Sequence, residues 1–203
     1  MKKNSILSNI IKKPEISVLL SILKISSIDT YNHSIRVAKI TEQLLQQLNK
    51  YNNKDKENII IGALLHDIGK VFLPFNITSA PYILSDEEMG IVKVHPYIGY
   101  EIVKDTFPKI VSDIILMHHE KADGSGYPNG NRLRNIPNYV LIVQVADIFD
   151  AIRSARPYKK GETVDKAISI MEKECRMIKL DDEYVNNLKN IIMEKDGNIY
   201  GTL

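Results

Sequence analysis

The sequence predicts an all-α chain folded as a single domain. Three observations carry this expectation. The 203 residues suit one buried core, with 44% apolar and 26% charged residues in the range of globular chains. Apolar residues recur at three- and four-residue steps in segments too long for strands, and strand-like alternation is scarce. No self-similar period of about twenty to fifty residues is present, so a solenoid is set aside.

Two short helices are expected over residues 5–12 and 15–25, from Ile6, Leu7, Ile10 and Ile11, then Ile16, Leu19, Leu20 and Leu23, split near Pro14. A longer amphipathic helix opens at His33, with Val37, Ile40, Leu44 and Leu48 on one face, and ends within residues 49–53. Residues 57–70 (ENIIIGALLHDIGK) are apolar on nearly every face, which predicts a central helix walled in by neighbours. Residues 71–81 read as an irregular connector holding Pro74 and Pro81. Ser85 followed by Glu88 is a capping-box pair that opens a helix to about Val94. Helices follow over 97–105 and 108–119, then a Gly- and Pro-rich loop over 123–137, a long apolar helix over 139–154, and helices over 163–176 and 181–195.

Composition excludes several classes of function. Lys plus Arg is 27 against 25 Asp plus Glu, a net charge of +2, so no global field marks a binder of DNA or RNA duplexes and any anion site is local. Cys175 stands alone, which excludes an internal disulfide or a thiolate metal cage and fits a reducing, cytoplasmic compartment. No run of eighteen apolar residues and no signal-peptide core are present, so no membrane association is expected.

The chemistry is expected at the histidines: His33, His66, His95, His118 and His119. His66 is followed by Asp67 at the end of the most apolar helix, where a carboxylate beside an imidazole needs compensation by a hydrogen-bond partner or a cation. Taken alone, the pair reads equally as a His-Asp hydrogen bond or a helix cap. Asp147 interrupts an otherwise apolar run (YVLIVQVADIF), and ionised carboxylates in such company are rarely unpaired. Adjacent side chains on a helix diverge by about 100°, so His118 and His119 serve one cluster only at different metals or at a helix end. Five imidazoles with two carboxylates and no sulfur form a donor set for Fe, Mn, Co or Zn rather than Ca. Lys70 lies three residues after Asp67 and shares its face if the helix persists; Asp150, three after Asp147, is placed to orient a ligand or water.

In order, His33, Leu-His66-Asp67-Ile-Gly-Lys70, His95-Pro96, His118-His119-Glu120, Asp123-Gly124-Ser125-Gly126-Tyr127-Pro128, Ala-Asp147-Ile-Phe-Asp150 and Arg156-Pro157-Tyr158-Lys159 resemble the HD-GYP family, a subgroup of the HD metal-dependent phosphohydrolases. The resemblance implies an HD-type helical domain over 27–195, a helical extension over 1–26 and a tail over 196–203. It also implies hydrolysis of cyclic di-GMP to linear pGpG, with continuation to GMP left open, through a hydroxide bridging two metals. His33, His66, Asp67 and Asp147 would hold one metal, Asp67 would bridge, and His95, His118 and His119 would complete the second. Fe or Mn comes first, then Zn, Co or Ni. A third metal would fall to Asp29, which stands where three-metal members carry glutamate; the alternative is a helix N-cap. Lys70, Arg156 and Lys159 would touch phosphate. Tyr127 would either stack a base at the pocket rim or pack inward to hold His118 and His119. Asp67, Lys70 and Asp150 are thus the expected catalytic set.

The chain departs from the family pattern at Thr78-Ser79-Ala80-Pro81, which lacks the lysine common before that proline, and at Asn131, where leucine is usual. These departures touch substrate preference more than metal binding. Competing readings are a general HD nucleotide phosphohydrolase, a phosphodiesterase for another cyclic dinucleotide, and a non-catalytic scaffold for signalling proteins. No sensor domain is expected within the residues ahead of the resemblance, and a homodimer through the amphipathic start is the alternative to packing of that start on the domain.

Overall fold

The computed structural model describes residues 5–154, 161–177 and 179–194, and among these the architecture is helical throughout, with one isolated bridge between Asp123 and Arg132. The helices are α1 (Ile6–Ile10), α2 (Pro14–Ser26), α3 (Ile28–Leu48), α4 (Asn53–Leu65), α5 (Phe75–Thr78), α6 (Asp86–Val92), α7 (His95–Val103), α8 (Lys109–Met117), α9 (Asn138–Arg153), α10 (Val164–Arg176) and α11 (Asp182–Glu194). Short 3-10 turns cover Ile68–Phe72 and Leu133–Asn135. Among the described residues no helix is long and apolar enough to cross a membrane.

α4 occupies the centre. Every residue from Asn58 to Leu65 is buried, because α3, α8, α1, α2 and α9 surround the helix as its all-round apolar sequence requires. A Cβ at Gly62 would stand 2.6 Å from Ile114 Cδ1, so glycine lets α8 lie against α4 at this distance. α3 packs on α4 and α9 through Val37, Ala38, Ile40, Leu44 and Leu45, and α9 buries Val140 to Val143 on its other faces. Leu7, Ile10, Ile16, Leu20 and Leu23 join the same cluster, so the segment expected as an N-terminal extension is packed on the domain.

Three expectations are corrected. α3 begins at Ile28 rather than His33, because the Ser27 hydroxyl accepts from Thr30 N–H and caps it. Asp29 therefore lies in the first turn and is not the cap. The central helix stops at Leu65 instead of running to residue 70, and the chain tightens into the 3-10 turn Ile68–Phe72. The cause is the approach of α7: a Cβ at Gly69 would be 2.0 Å from the His95 carbonyl oxygen and 2.7 Å from Gly99 N, so this backbone passes directly against α7. α7 starts at His95, two residues earlier than expected, with Pro96 in the first turn, where its missing N–H leaves no bond unmade.

Candidate metal centre

The five histidines and three aspartates come from five places on the chain that the core brings together. His33 stands in the second turn of α3, and Asp147 and Asp150 in the C-terminal half of α9. His66 caps the C-terminus of α4, with Asp67 next; His95 opens α7; His118 caps α8, and His119 follows where that helix has ended. That helix end lets two sequential imidazoles face one cluster, their ring centroids 4.1 Å apart. Three sets of donor atoms lie within metal-chelating reach: Asp67, His95, His118 and His119; His33, His66 and Asp67; and His66, His118 and Asp147. Asp67 belongs to two of them.

The tautomers follow from local geometry. His66 Nδ1–H donates to Ala63 O at 2.8 Å, His95 Nδ1–H to Val92 O at 2.7 Å, and His118 Nδ1–H to Ile115 O at 2.9 Å. Each ring is thus fixed by the carbonyl three residues before it, and each Nε2 is left as a lone pair aimed into the cluster. His95 Nε2 and His118 Nε2 are 3.3 Å apart, and Asp67 Oδ1 lies 3.2 Å from His95 Nε2. Lone pairs and a carboxylate oxygen at such separations repel unless a cation stands among them. His66 Nε2 and Asp67 Oδ1 are buried with no hydrogen-bond partner among the described residues. Buried polar atoms in proteins are rarely orphaned, and a nitrogen and oxygen donor set without sulfur suits divalent transition metals, so these residues fit a metal centre.

His33 is held differently. Its Nδ1 lies 2.7 Å from Asp150 Oδ2 and its Nε2 2.9 Å from Asp147 Oδ1. Arg36 binds both Asp150 oxygens at 2.8 and 2.9 Å, and Ser154 Oγ joins at 2.9 Å from Arg36 and 3.1 Å from Asp150. Burial disfavours the His33 imidazolium, but Asp147 and Asp150 outweigh it and raise its pKa to about 9. Burial alone would raise the Asp150 pKa; His33 and Arg36 bring it down to about 2. Burial pushes His119 down to about 3 and His118 well below the ordinary imidazole range. Asp67 is held well below the usual carboxylate range despite complete burial, because Lys70 and His66 lie beside it.

Lys70 reaches Asp67 Oδ2 at 2.7 Å, although the α-helix expected to align the two does not persist. Tyr127 packs inward: its ring is 4.7 Å from that of His119, Lys93 Nζ lies 5.7 Å from the Tyr127 ring centroid, and Tyr127 N–H donates to His119 O at 3.1 Å. Tyr127 is half-buried, so this contact puts it against His119 at the edge of the cluster. A Cβ at Gly126 would stand 2.4 Å from both His119 O and Lys121 N, so the loop requires glycine there. Asp29 is exposed and joins none of the three donor groups found among the described residues. Arg156, Lys159 and the tail over 196–203 lie outside the described residues.

Two contributors were missed from sequence. Arg36 has the i+3 spacing from His33 as its signal, obscured because an arginine on an amphipathic helix reads as solvated. Glu120 is 2% exposed and accepts from Asn129 N, Asn131 N and Asn131 Nδ2 at 2.8, 2.8 and 3.3 Å, so it ties the glycine-rich loop to the end of α8. Its place beside His118-His119 is the only signal the sequence carries, and the loop it anchors lies nine to eleven residues further on.

A family model described as HD domain matches residues 17–184. The chain is 39% identical over 139 residues to a cyclic di-GMP phosphodiesterase response regulator, RpfG, of Xanthomonas campestris, covering 67% of this chain and 36% of that protein. It is 38% identical over 144 residues to a 3'3'-cGAMP-specific phosphodiesterase of Vibrio cholerae, covering 70% of this chain and 31% of that one. The chain thus spans about a third of the length of these curated relatives. In fold it is similar to Bd1817, an HDG"Y"P protein of Bdellovibrio bacteriovorus, with a TM-score of 0.69 at 24% identity over 92% of this chain and 60% of that one. A matched region that contains every residue of the His and Asp cluster, on a helical fold shared with a solved relative, leaves one assignment: the chain belongs to the HD domain family.

Proposed function

We propose that this chain is a metal-dependent phosphodiesterase unit acting on cyclic dinucleotides, cyclic di-GMP first, giving linear pGpG. The observation that carries it is Asp67, whose carboxylate is common to two donor groups and lies among imidazole lone pairs. His33, His66, Asp67 and Asp147 would hold one divalent ion, and Asp67, His95, His118 and His119 a second; the donor type suits Fe, Mn, Co or Zn, and the family resemblance puts Fe or Mn first. Such ions, when bound, oppose the charge of a phosphodiester and acidify water. The protein's own contribution is orientation and charge. Lys70 sets an ammonium beside Asp67 Oδ2, within reach of an anionic oxygen brought to the centre. Asp150 holds the His33 ring, and Tyr127 backs His119. Arg156 and Lys159 are retained as proposed phosphate contacts on sequence grounds. Cytoplasmic residence is proposed from the lone Cys175.

A second reading, 3'3'-cGAMP as substrate, is supported by a relative of that name at nearly the same identity. Incubating Mn(II)- or Fe(II)-loaded protein with each dinucleotide and separating the products decides between them. Release of pGpG from cyclic di-GMP at the higher kcat/KM supports the first reading, and preference for cGAMP the second. Turnover undiminished in His66→Ala and Asp67→Ala, with far-UV helicity retained, overturns both.

A further inference from the structure

The ligands of this centre are oriented by two unlike devices. His66, His95 and His118 each rely on a backbone carbonyl three residues away, an acceptor that no substitution can remove. His33 relies on a side chain from another helix, Asp150, 117 residues away in sequence. Asp150 is fully buried, and a buried carboxylate needs a partner cation. Arg36 is that partner. It lies one turn after His33 on α3, and its fork engages both Asp150 oxygens, which fixes the plane of the carboxylate as well as its position. Ser154, one turn after Asp150 on α9, closes the set by bonding both.

We infer that Arg36 is a positioning residue for one of two metal positions: through Asp150 it aims His33, and it leaves the position built on His95, His118 and His119 untouched. This rests on the two-ion reading above. Without the fork, the Asp150 carboxylate is free to turn about its side chain, and the His33 ring, bonded to it through Nδ1, turns with it. On the other side His95 and His118 stay tied to their own turns, and His119 packs against Tyr127 rather than against α3 or α9. Removing a group that orients a metal-ligating histidine lowers metal affinity about 10- to 100-fold.

The test is Mn(II) binding to the metal-stripped full chain, by equilibrium dialysis with electron paramagnetic resonance of free Mn(II), alongside thermal melting of the metal-free protein. Wild type is expected to bind two ions. Arg36→Met is expected to bind one with unchanged affinity and the other about 10- to 100-fold more weakly. Arg36→Lys, which keeps the charge but contacts one oxygen at a time, is expected to fall between them, and it serves as the primary variant if Arg36→Met does not fold. Equal weakening of both ions, or no weakening of either, overturns the inference. A wild type that binds no more than one ion overturns the two-ion reading itself, a separate result visible before any variant is made.

Discussion

The metal-free protein should lose stability as pH rises from about 6.5 to about 9. In the folded chain His33 holds a proton between Asp147 and Asp150 until about pH 9, whereas in the unfolded chain an imidazole gives it up near 6.5. A group whose folded pKa is raised contributes fully below its unfolded value, and that contribution disappears through the folded value. Over roughly 2.5 pH units at 1.36 kcal/mol each, the loss is about 3 kcal/mol. The side chain is 15% exposed, so solvent screening leaves most of this in place. Urea unfolding of chelator-stripped protein at half-unit steps measures it, with the midpoint falling steadily across that window. His33→Gln should abolish the slope. A flat profile between pH 6.5 and 9 in the wild-type chain would refute the placement of His33 between two buried carboxylates. On the acid side the sign reverses: burial depresses His118 and His119, so the unfolded state binds protons that the folded state refuses, and stability falls below pH 6.5.

Three further outcomes are expected. Gly69→Ala forces a methyl against the backbone of α7 and should cost about 1–3 kcal/mol in chemical unfolding, with turnover falling as Asp67 and His95 are pushed apart. Glu120→Ala removes the acceptor of three hydrogen bonds from the loop, at about 1–3 kcal/mol for the donors left behind; hydrogen exchange should quicken over residues 123–132 before it changes in α4. Lys70→Met should leave Mn(II) stoichiometry at the wild-type value while reducing kcat/KM at least tenfold, measured by product release from cyclic di-GMP. Unaltered kcat/KM would remove Lys70 from the proposed machinery.

The helical class and the candidate donor cluster were legible in sequence because each has a local signature. Apolar periodicity marks α3, α9 and α10, and Asp147 stands out in an apolar run. What stayed hidden depends on contacts between distant segments. The end of α4 is invisible in ENIIIGALLHDIGK, since Ile68 continues the apolar pattern; the approach of α7 to Gly69 goes with the tighter turn. Arg36 acquires its role only when α9 lies against α3 and brings Asp150 within reach. Asp29 kept the spacing of a ligand, yet a helix that starts at Ile28 leaves it on the solvent side.

His66, His95 and His118 ride on the last or first residues of their helices, the positions where an α-helix opens most readily. Fraying of a single turn there withdraws a donor while the core stays intact. Ion exchange at the proposed centre would thereby be linked to sub-global breathing: chelators should strip bound metal under conditions where the far-UV circular dichroism of the chain is unchanged.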